Sequence, residues 1–471
     1  MNWNTLLLMR QELVLTTVIL ILLVVDVIVK NKKSLNIIAI LLFGIYTILG
    51  FFPSGNNELF GGMYKNTELI FAFKNILNIG VFLITMISVS WVNKKMLPLN
   101  KVAEFYALMF SSYLGMLFMI SAGHFLMLYI GLELATLPVT ALASYDMFNR
   151  KSSESGIKLL LSAAFSSGIF LFGISMIYAT GGSLYFNSIY GNIAISYLSI
   201  MGLFMIFAGL AFKISLVPFH FWTADVYEGA PTPVASYLSV ISKGAAVFVL
   251  MILLFKVFSN FIDLWIYLLY GISILTMFIG NFFAIRQTNM QRFLAFSSVA
   301  QAGFILLGFL SADQVAVSAV VYFIAIYVLS NILVFAAVQS IGLASNKYNI
   351  EDYNGLYRTN PLISIALMFG LFSLAGIPPI AGFFGKFFLY TAAASKGFYL
   401  LVFIAVVNVT ISLYYYLIVV RAAWLRKSDN PIQFYKSDIF MKISLVIVST
   451  ALLVLGLFSP FYEYIFSISN I

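Results

Sequence analysis

Residues 210–243 read LAFKISLVPFHFWTADVYEGAPTPVASYLSVISK. They sit inside two strongly apolar stretches, yet hold Lys213, Pro218, His220, Asp225, Glu228, Pro231, Pro233 and Lys243. A proline that removes a backbone donor, five residues after a lysine, is tolerated at membrane depth only where protein or a water-filled cavity satisfies the freed groups. A charge at that depth costs about 2.5–3.5 kcal/mol on insertion scales. Two lysines on neighbouring spans therefore point to a polar route through the protein.

Composition sets the surroundings of that stretch. With 471 residues, 62% hydrophobic and 9% charged, and a mean hydropathy of +1.02, the chain has too few charges to cover a soluble protein. It reads as a polytopic membrane protein. The net charge of +9 is scattered over short loops without a basic block, which argues for topology signals and against a nucleic-acid partner. The absence of cysteine excludes thiolate-held iron–sulfur clusters, disulfides and a cysteine nucleophile. Two histidines, His124 and His220, are too few for multi-haem ligation. The Gly61-Gly62 and Gly181-Gly182 pairs lack a following Lys-Ser/Thr, so no nucleotide loop is expected. No cofactor is expected in this chain, and its driving energy must come from a cofactor-bearing partner or an ion gradient. Arg10 precedes the first apolar run and Lys30, Lys32 and Lys33 follow it, the reverse of a secretory signal, so the first span is expected to be retained.

Apolar runs cut by charged or Gly/Asn/Pro loops predict fourteen spans: 13–29, 35–52, 76–92, 102–120, 124–143, 157–178, 196–223, 231–255, 264–285, 293–310, 315–342, 362–394, 398–420 and 441–458. The runs at 196–223, 315–342 and 362–394 are long, and broken or tilted helices are expected there. Five basic residues (Arg10, Lys65, Lys74, Lys256, Lys396) fall on the N-terminal side of the membrane and sixteen in the opposite loops. That imbalance predicts both termini outside. Trp91, Trp265 and Trp424 are expected at headgroup level.

Lys158, Lys213, Lys243 and Lys386 remain inside apolar segments, with Glu133 midway through span five and Asp26 near the inner end of span one. Lys243 lies about twelve residues into its helix, roughly 18 Å, which makes snorkelling a poor account of it. Desolvation brings a buried lysine within reach of cycling between charged and neutral forms. At 4 Å and an effective dielectric near 20, a carboxylate partner is worth about 4 kcal/mol, or about three pKa units. A membrane potential supplies about 2.3 kcal/mol per 100 mV, so opening one such pair could load or unload a proton. Glu133 reads as an ion-pair partner for a lysine on a neighbouring helix, or as a protonated carboxyl hydrogen-bonded within the bundle. Lys158, one turn into its span, reads equally as a snorkelling side chain. His220 reads as a relay or as a cap on the broken helix. His124 is expected at the interface, and Asp26 paired with a loop lysine.

Lys213 with Pro218 breaks span seven, and Pro378, Pro379 and Lys386 interrupt span twelve about 160 residues later. Lys386 would then be the corresponding group in the other half. A repeat of five spans, being odd, must be inserted upside down the second time. The expected fold is all-α and polytopic, with about fourteen transmembrane helices, two inverted five-helix repeats and broken helices 7 and 12. The expected divisions are a three-helix segment over 1–100, a five-helix repeat over 101–260, its inverted copy over 261–421 and a C-terminal helix over 422–471.

Three stretches, FKISLVPFHFWTADVYEGAPTPV, AIRQTNMQRFLAFSSVAQAG and LAGIPPIAGFFGKF, resemble the antiporter-like membrane subunits of respiratory complex I (NADH:quinone oxidoreductase). The DVYEGAPTPV form resembles the bacterial N type rather than L or M, and the chain stops at Ile471 without the long lateral helix of the L type. The resemblance implies proton translocation coupled to quinone reduction elsewhere in the complex. It implies a location in the bacterial inner membrane beside other membrane-arm subunits, with FMN, iron–sulfur clusters, NADH and quinone held by partner subunits. By position, Glu133 matches the family's ion-pair glutamate, Lys213 its partner, Lys243 the central lysine, Lys386 the exit-side lysine and Lys158 a further polar-axis lysine. Gln301 stands where the N type commonly has histidine; glutamine can position water but does not titrate. Two alternatives are a subunit of an Mrp-type cation/proton antiporter and a spacer that transmits force and conducts nothing.

Overall fold

A computed structural model describes residues 7–53, 55–190 and 193–469. Apolar sequence and intrahelical hydrogen bonding make the chain almost wholly helical, as the bilayer demands of any spanning segment. The first helices are α1 (Arg10–Ile28), α2 (Ser34–Gly50) and α3 (Glu68–Lys95). Between α2 and α3 lies a two-stranded hairpin, β1 (Asn57–Leu59) against β2 (Tyr64–Asn66). Next come α4 (Val102–Ile120), α5 (Phe125–Ala143), α6 (Arg150–Gly181), α7 (Tyr197–Ile214), α8 (Phe221–Gly229) and α9 (Thr232–Val257). The series repeats as α10 (Ile262–Ile285), α11 (Met290–Phe309), α12 (Gln314–Ser345), α13 (Pro361–Ala375), α14 (Ala381–Ser395) and α15 (Tyr399–Trp424), followed by α16 (Ile439–Leu457) and α17 (Pro460–Ile468).

Every predicted span has its helix. Twelve helices among the described residues are long and apolar enough to cross a membrane singly; α2 and the α13–α14 pair account for the other two spans. Alternate loops meet on one face. Lys65 N bonds Ser121 O and Gln314 Nε2 bonds Phe466 O on the face where α1 begins. On the opposite face Lys94 bonds Leu343 O, and Asn289 bridges to Asn349. Met1 and Ile471, the termini expected outside, lie beyond the described residues.

Both expected breaks are present and share one design. Helix α7 ends at the left-handed residue Ser215 (φ 65°) and α13 at Gly376 (φ 85°), each closing its last turn as a C-terminal cap. Pro218 and Pro379 follow at the same offset, so both landmarks recur 161 positions apart (215 to 376, 218 to 379). That is the inverted five-helix repeat. The first two helices of each repeat cross on glycine: a Cβ on Gly115 of α4 would overlap Ala135 N of α5, and one on Gly280 of α10 would overlap Ala300 N of α11. Close crossing through small residues is how lipid-embedded helices gain packing energy.

One expectation changes. The run at 315–342 is neither broken nor interrupted: α12 is one continuous 32-residue helix, because length alone prompted the expectation and no proline lies within it. It is also almost wholly buried, the central strut of the bundle. Trp91 and Trp265 lie at helix ends packed against protein, and Trp265 Nε1 bonds Phe258 O at 3.1 Å. Trp424 stacks on Tyr357.

Candidate functional site

The break in span seven places Lys213 in the last turn of α7, buried, with Nζ 3.4 Å from Leu132 O. Leu132 neighbours Glu133 on α5, so the two functional candidates share one helix crossing. They are not paired in this conformation. No carboxylate lies within 4.0 Å of Lys213 Nζ among the described residues, and Glu133 Oε1, though buried, has no hydrogen-bond partner. The expected ion pair is therefore open here.

Lys243 is 3% exposed, near the middle of α9. The turn just before it, Leu238–Ser242, is a π-turn, an insertion that rotates the following residues relative to a regular helix and recurs at functional sites. Its ammonium donates to Ser298 Oγ of α11 at 2.7 Å and lies 5.6 Å from the centroid of the Tyr227 ring. A cavity of about 10 Å³, lined by Lys243, Ser298 and Tyr327 among others, has room for about one water molecule.

One turn along α11 from Ser298 stands Gln301, 1% exposed. Its Nε2 donates to Leu374 O at 3.0 Å and to Tyr416 Oη at 3.2 Å, while its Oε1 is unpartnered. Leu374 O also accepts from Lys386 Nζ at 2.7 Å, and Ala375 O accepts from the same nitrogen at 3.2 Å. Lys386 thus caps the orphan carbonyls at the end of α13, where the helix dipole favours a cation. Its ammonium also lies 4.8 Å from the centroid of the Phe304 ring. Two hydrogen-bonded segments result, Lys243 with Ser298 and Gln301 with Lys386 through the Leu374 carbonyl, one helical turn apart on α11.

Further polar side chains lie between Lys243 and the face opposite the start of α1. A polar vestibule of about 300 Å³ opens there, lined by Lys94, Asp146, Lys151, Glu228, Thr232 and Gln291 among others. At its floor Gln291 Nε2 donates to Thr232 Oγ1 at 3.1 Å. From Thr232, the hydroxyls of Ser236 and Ser239 follow at spacings of four and three, and Lys243 four later, on one face of α9. Ser236 Oγ is buried without a partner, and Ser239 Oγ lies 3.4 Å from Tyr327 Oη. His220 is buried with Nδ1 unpartnered. Its side chain makes no capping bond to α8.

Lys158 stands apart from the axis. Its side chain is 42% exposed and its Nζ bonds Asp225 and Glu154, each at 2.6 Å. Arg292 joins Asp225 (2.7 Å) to Glu228 (3.0 Å), and Lys151 holds Glu228 at 2.8 Å. Burial alone would raise both carboxyls; the hydrogen bonds to Asp225 from Lys158 and Arg292, and to Glu228 from Lys151 and Arg292, outweigh it and hold both below the usual carboxylate range. The offset of 161 also revises the symmetry: Lys386 corresponds to Asp225, and Lys213 to Leu374, so the two lysines are not repeat-equivalent. Asp26 pairs with Lys32 at 2.8 Å, as the sequence suggested. His124 is 8% exposed and caps α5 by accepting from Leu126 N, at the end of the helix where its span begins.

Sequence reasoning missed one buried charge pair. Lys74, counted above as a loop cation, lies inside α3 with Nζ 2.5 Å from Glu12 Oε1, both side chains 2% exposed. The only signal was a lysine and a glutamate each within two turns of a helix start. Among the described residues no cluster of three or more His, Asp or Glu side chains could hold a metal ion.

The profile of the family described as "NADH:quinone oxidoreductase/Mrp antiporter, TM" matches residues 122–412, which include both breaks and the whole axis. The NADH-quinone oxidoreductase subunit N of Phocaeicola vulgatus is 47% identical over 430 residues, covering 91% of each chain. A chain of respiratory complex I from Thermus thermophilus with bound Aureothin superposes with a TM-score of 0.81 at 28% identity, over 96% of this chain and 97% of that one. A chain of the Mrp complex from Dietzia sp. DQ12-45-1b superposes with a TM-score of 0.86 at 17% identity, over 100% and 97%, a likeness of fold. With a profile match over more than half its length and a relative so similar along nearly all of it, the chain belongs to the NADH:quinone oxidoreductase/Mrp antiporter transmembrane family.

Proposed function

We propose that this chain is the proton-translocating, antiporter-like membrane-arm subunit of an NADH:quinone oxidoreductase, without a redox centre of its own. The observation that carries the reading is Lys243: a nearly inaccessible lysine at mid-helix, hydrogen-bonded to Ser298 one turn along α11 from Gln301, which shares the Leu374 carbonyl with a second buried lysine, Lys386. Packing alone does not need a cation there, and its burial is costly.

In this reading a proton reaches Lys243 from the vestibule along Thr232, Ser236 and Ser239, with His220 at the side of the route. The ammonium of Lys243 then gives its proton towards Lys386, with water beside Ser298 and Gln301 as the carrier. Lys386 releases it on the face where α1 begins. Glu133 sets the proton affinity of Lys213 by closing on it, and the open pair seen here is one half of that cycle. Lys213 in its charged form repels a proton on Lys243, so closing the pair favours loading and opening it favours release. Lys158 acts from the ion cluster on α8, fixing the half-helix that carries the vestibule wall.

Energy would come from quinone reduction in partner subunits holding FMN and iron–sulfur clusters. The neighbouring membrane-arm subunits and the bilayer are the contacts of α6 and α15, whose faces are largely exposed. With Lys74 removed from the loop count, sixteen basic residues against four still support an orientation with the vestibule inside and the termini outside, and the reading as a complex I subunit goes with a bacterial inner membrane. Identity of 47% to an N subunit favours this reading over an Mrp-type antiporter.

The test is Lys213→Ala and Glu133→Ala in the intact complex, reconstituted in vesicles, with proton uptake and NADH oxidation followed together. Assembled complex with sharply reduced pumping is expected; full pumping in either assembled variant overturns its assigned role. Purification separates the rivals, since a flavin and iron–sulfur arm should accompany the chain.

A further inference from the structure

Outside the axis, a second buried polar system occupies α1, α3 and α4. Its centre is the Glu12–Lys74 pair at 2.5 Å. Tyr64, from the hairpin, lies across both: its hydroxyl donates to Glu12 Oε2 at 3.0 Å and accepts from Lys74 Nζ at 3.1 Å. Burial and the Glu12 charge push the Tyr64 phenol up, so it remains a donor. From the pair a column of amides runs inward: Gln11 to Asn75 at 3.1 Å, Asn78 to Asn75 at 3.2 Å, and Tyr113 of α4 to Asn78 at 2.6 Å.

This column lies alongside the central lysine's helix. Phe73 stacks on Phe248 of α9 with centroids 4.1 Å apart, and Leu77 lies 3.4 Å from where a Cβ on Gly244 would stand. The turn carrying Lys74 and Asn78 therefore packs beside the turn that follows Lys243. Two charges taken out of water cost several kcal/mol each, and an apolar pair of equal volume would fasten α1 to α3 at least as well. The charge itself has a use.

Building on the function proposed above, we propose that Glu12 and Lys74 form a second proton-holding pair, serving release on the face where α1 begins. In the step, an N–H bond of the Lys74 ammonium breaks and its proton passes to a Glu12 carboxylate oxygen, leaving a neutral amine and a carboxylic acid. Glu12 then gives that proton to the Tyr64 oxygen, restoring the carboxylate. At the same moment the Tyr64 hydroxyl, turned towards Leu8 O at 3.2 Å, gives its own proton to a water molecule at the start of α1, which becomes hydronium. The amine takes up a proton arriving from the depth of Lys243, and the pair returns to its charged form.

The experiment uses the intact complex in vesicles, with assembly read on native gels and Lys213→Ala run in parallel. Lys74→Arg keeps the charge and the pairing, but a guanidinium does not release its proton. The double variant Glu12→Gln/Lys74→Met removes both charges and leaves no lone buried ion. Both are expected to assemble with pumping and coupled NADH oxidation about tenfold or more below wild type, a modest loss for a positioned proton-transfer group. Full pumping in the neutral double variant overturns the proposal, whatever Lys74→Arg does, and makes the pair a packing element. Failure of both variants to assemble assigns the pair to folding and overturns it too. If pumping persists in these two but is lost in Lys213→Ala, the main axis stands; if all three pump fully, the axis falls with it.

Discussion

Replacing Ser298 by alanine removes one oxygen atom and the one hydrogen-bond acceptor that Lys243 has among the described residues. The Ser298 hydroxyl donates its own hydrogen to Ala295 O at 2.7 Å, so its lone pairs are free to face the ammonium. A hydrogen bond to a charged group contributes about 1.5–3 kcal/mol. Without it the charged form of Lys243, only 3% exposed, becomes less populated by roughly ten- to hundredfold, since each 1.4 kcal/mol is a factor of ten. If every proton must occupy Lys243, proton uptake and NADH oxidation should fall together by a comparable factor. The assay is reconstituted complex in vesicles, a pH-sensitive dye inside, and NADH absorbance followed in the same cuvette. Ser298→Thr, which keeps the hydroxyl, should recover most of the loss. Wild-type rates in an assembled Ser298→Ala complex, or a threonine variant no better than alanine, would refute the reasoning.

Gln301→Leu should assemble yet pump more slowly, because Leu374 O and Tyr416 Oη lose the amide that joins them; the vesicle assay reads this, and unchanged pumping removes Gln301 from the route. Gly115→Ala drives a methyl into the α5 backbone and should destabilise the complex by about 1–3 kcal/mol, as over-packing does, seen as a lower melting temperature with little change in the pumping ratio of what survives. Arg292→Gln should lower the melting temperature most near neutral pH. Asp225 and Glu228 are held below the ordinary carboxyl range, so their contribution is complete above an unfolded-state value of about 4 and disappears as acid protonates them below it. The gap between variant and wild type should therefore close below about pH 4, and a gap that widens in acid would contradict the assignment.

The spans were legible because each helix is an apolar run bounded by charge, and the two breaks because Pro218 and the Pro378-Pro379 pair cannot continue a helix. Lys243 could be placed at mid-membrane by counting residues alone. Its acceptor could not: Ser298 is one hydroxyl among many on α11, and only the fold says which faces α9. The π-turn before Lys243 has no marker in composition or period. Glu12 and Lys74 sit near helix ends, where a charge reads as a loop residue, and nothing local says that two ends 62 positions apart meet. For Lys158 the sequence left a snorkelling side chain open, and the fold places it in an exposed ion cluster that no local pattern announces. The Glu133–Lys213 partnership came with the family resemblance, and in the conformation seen here the two share a helix crossing without closing on one another.

The duplicated breaks bear on directionality. Because span seven and span twelve thread the bilayer in opposite senses, Lys213, before its break, and Lys386, after its own, both stand towards the side where the chain begins. Repeat-equivalence would instead put a lysine at Asp225, on the far side, where an acidic group tied to Lys158 and Arg292 is found. A backbone that looks alike from either leaflet has no preferred sense of transport. In the proposed cycle, the uneven placement of a few cations makes the two half-paths chemically different, and the coupled reaction supplies the direction.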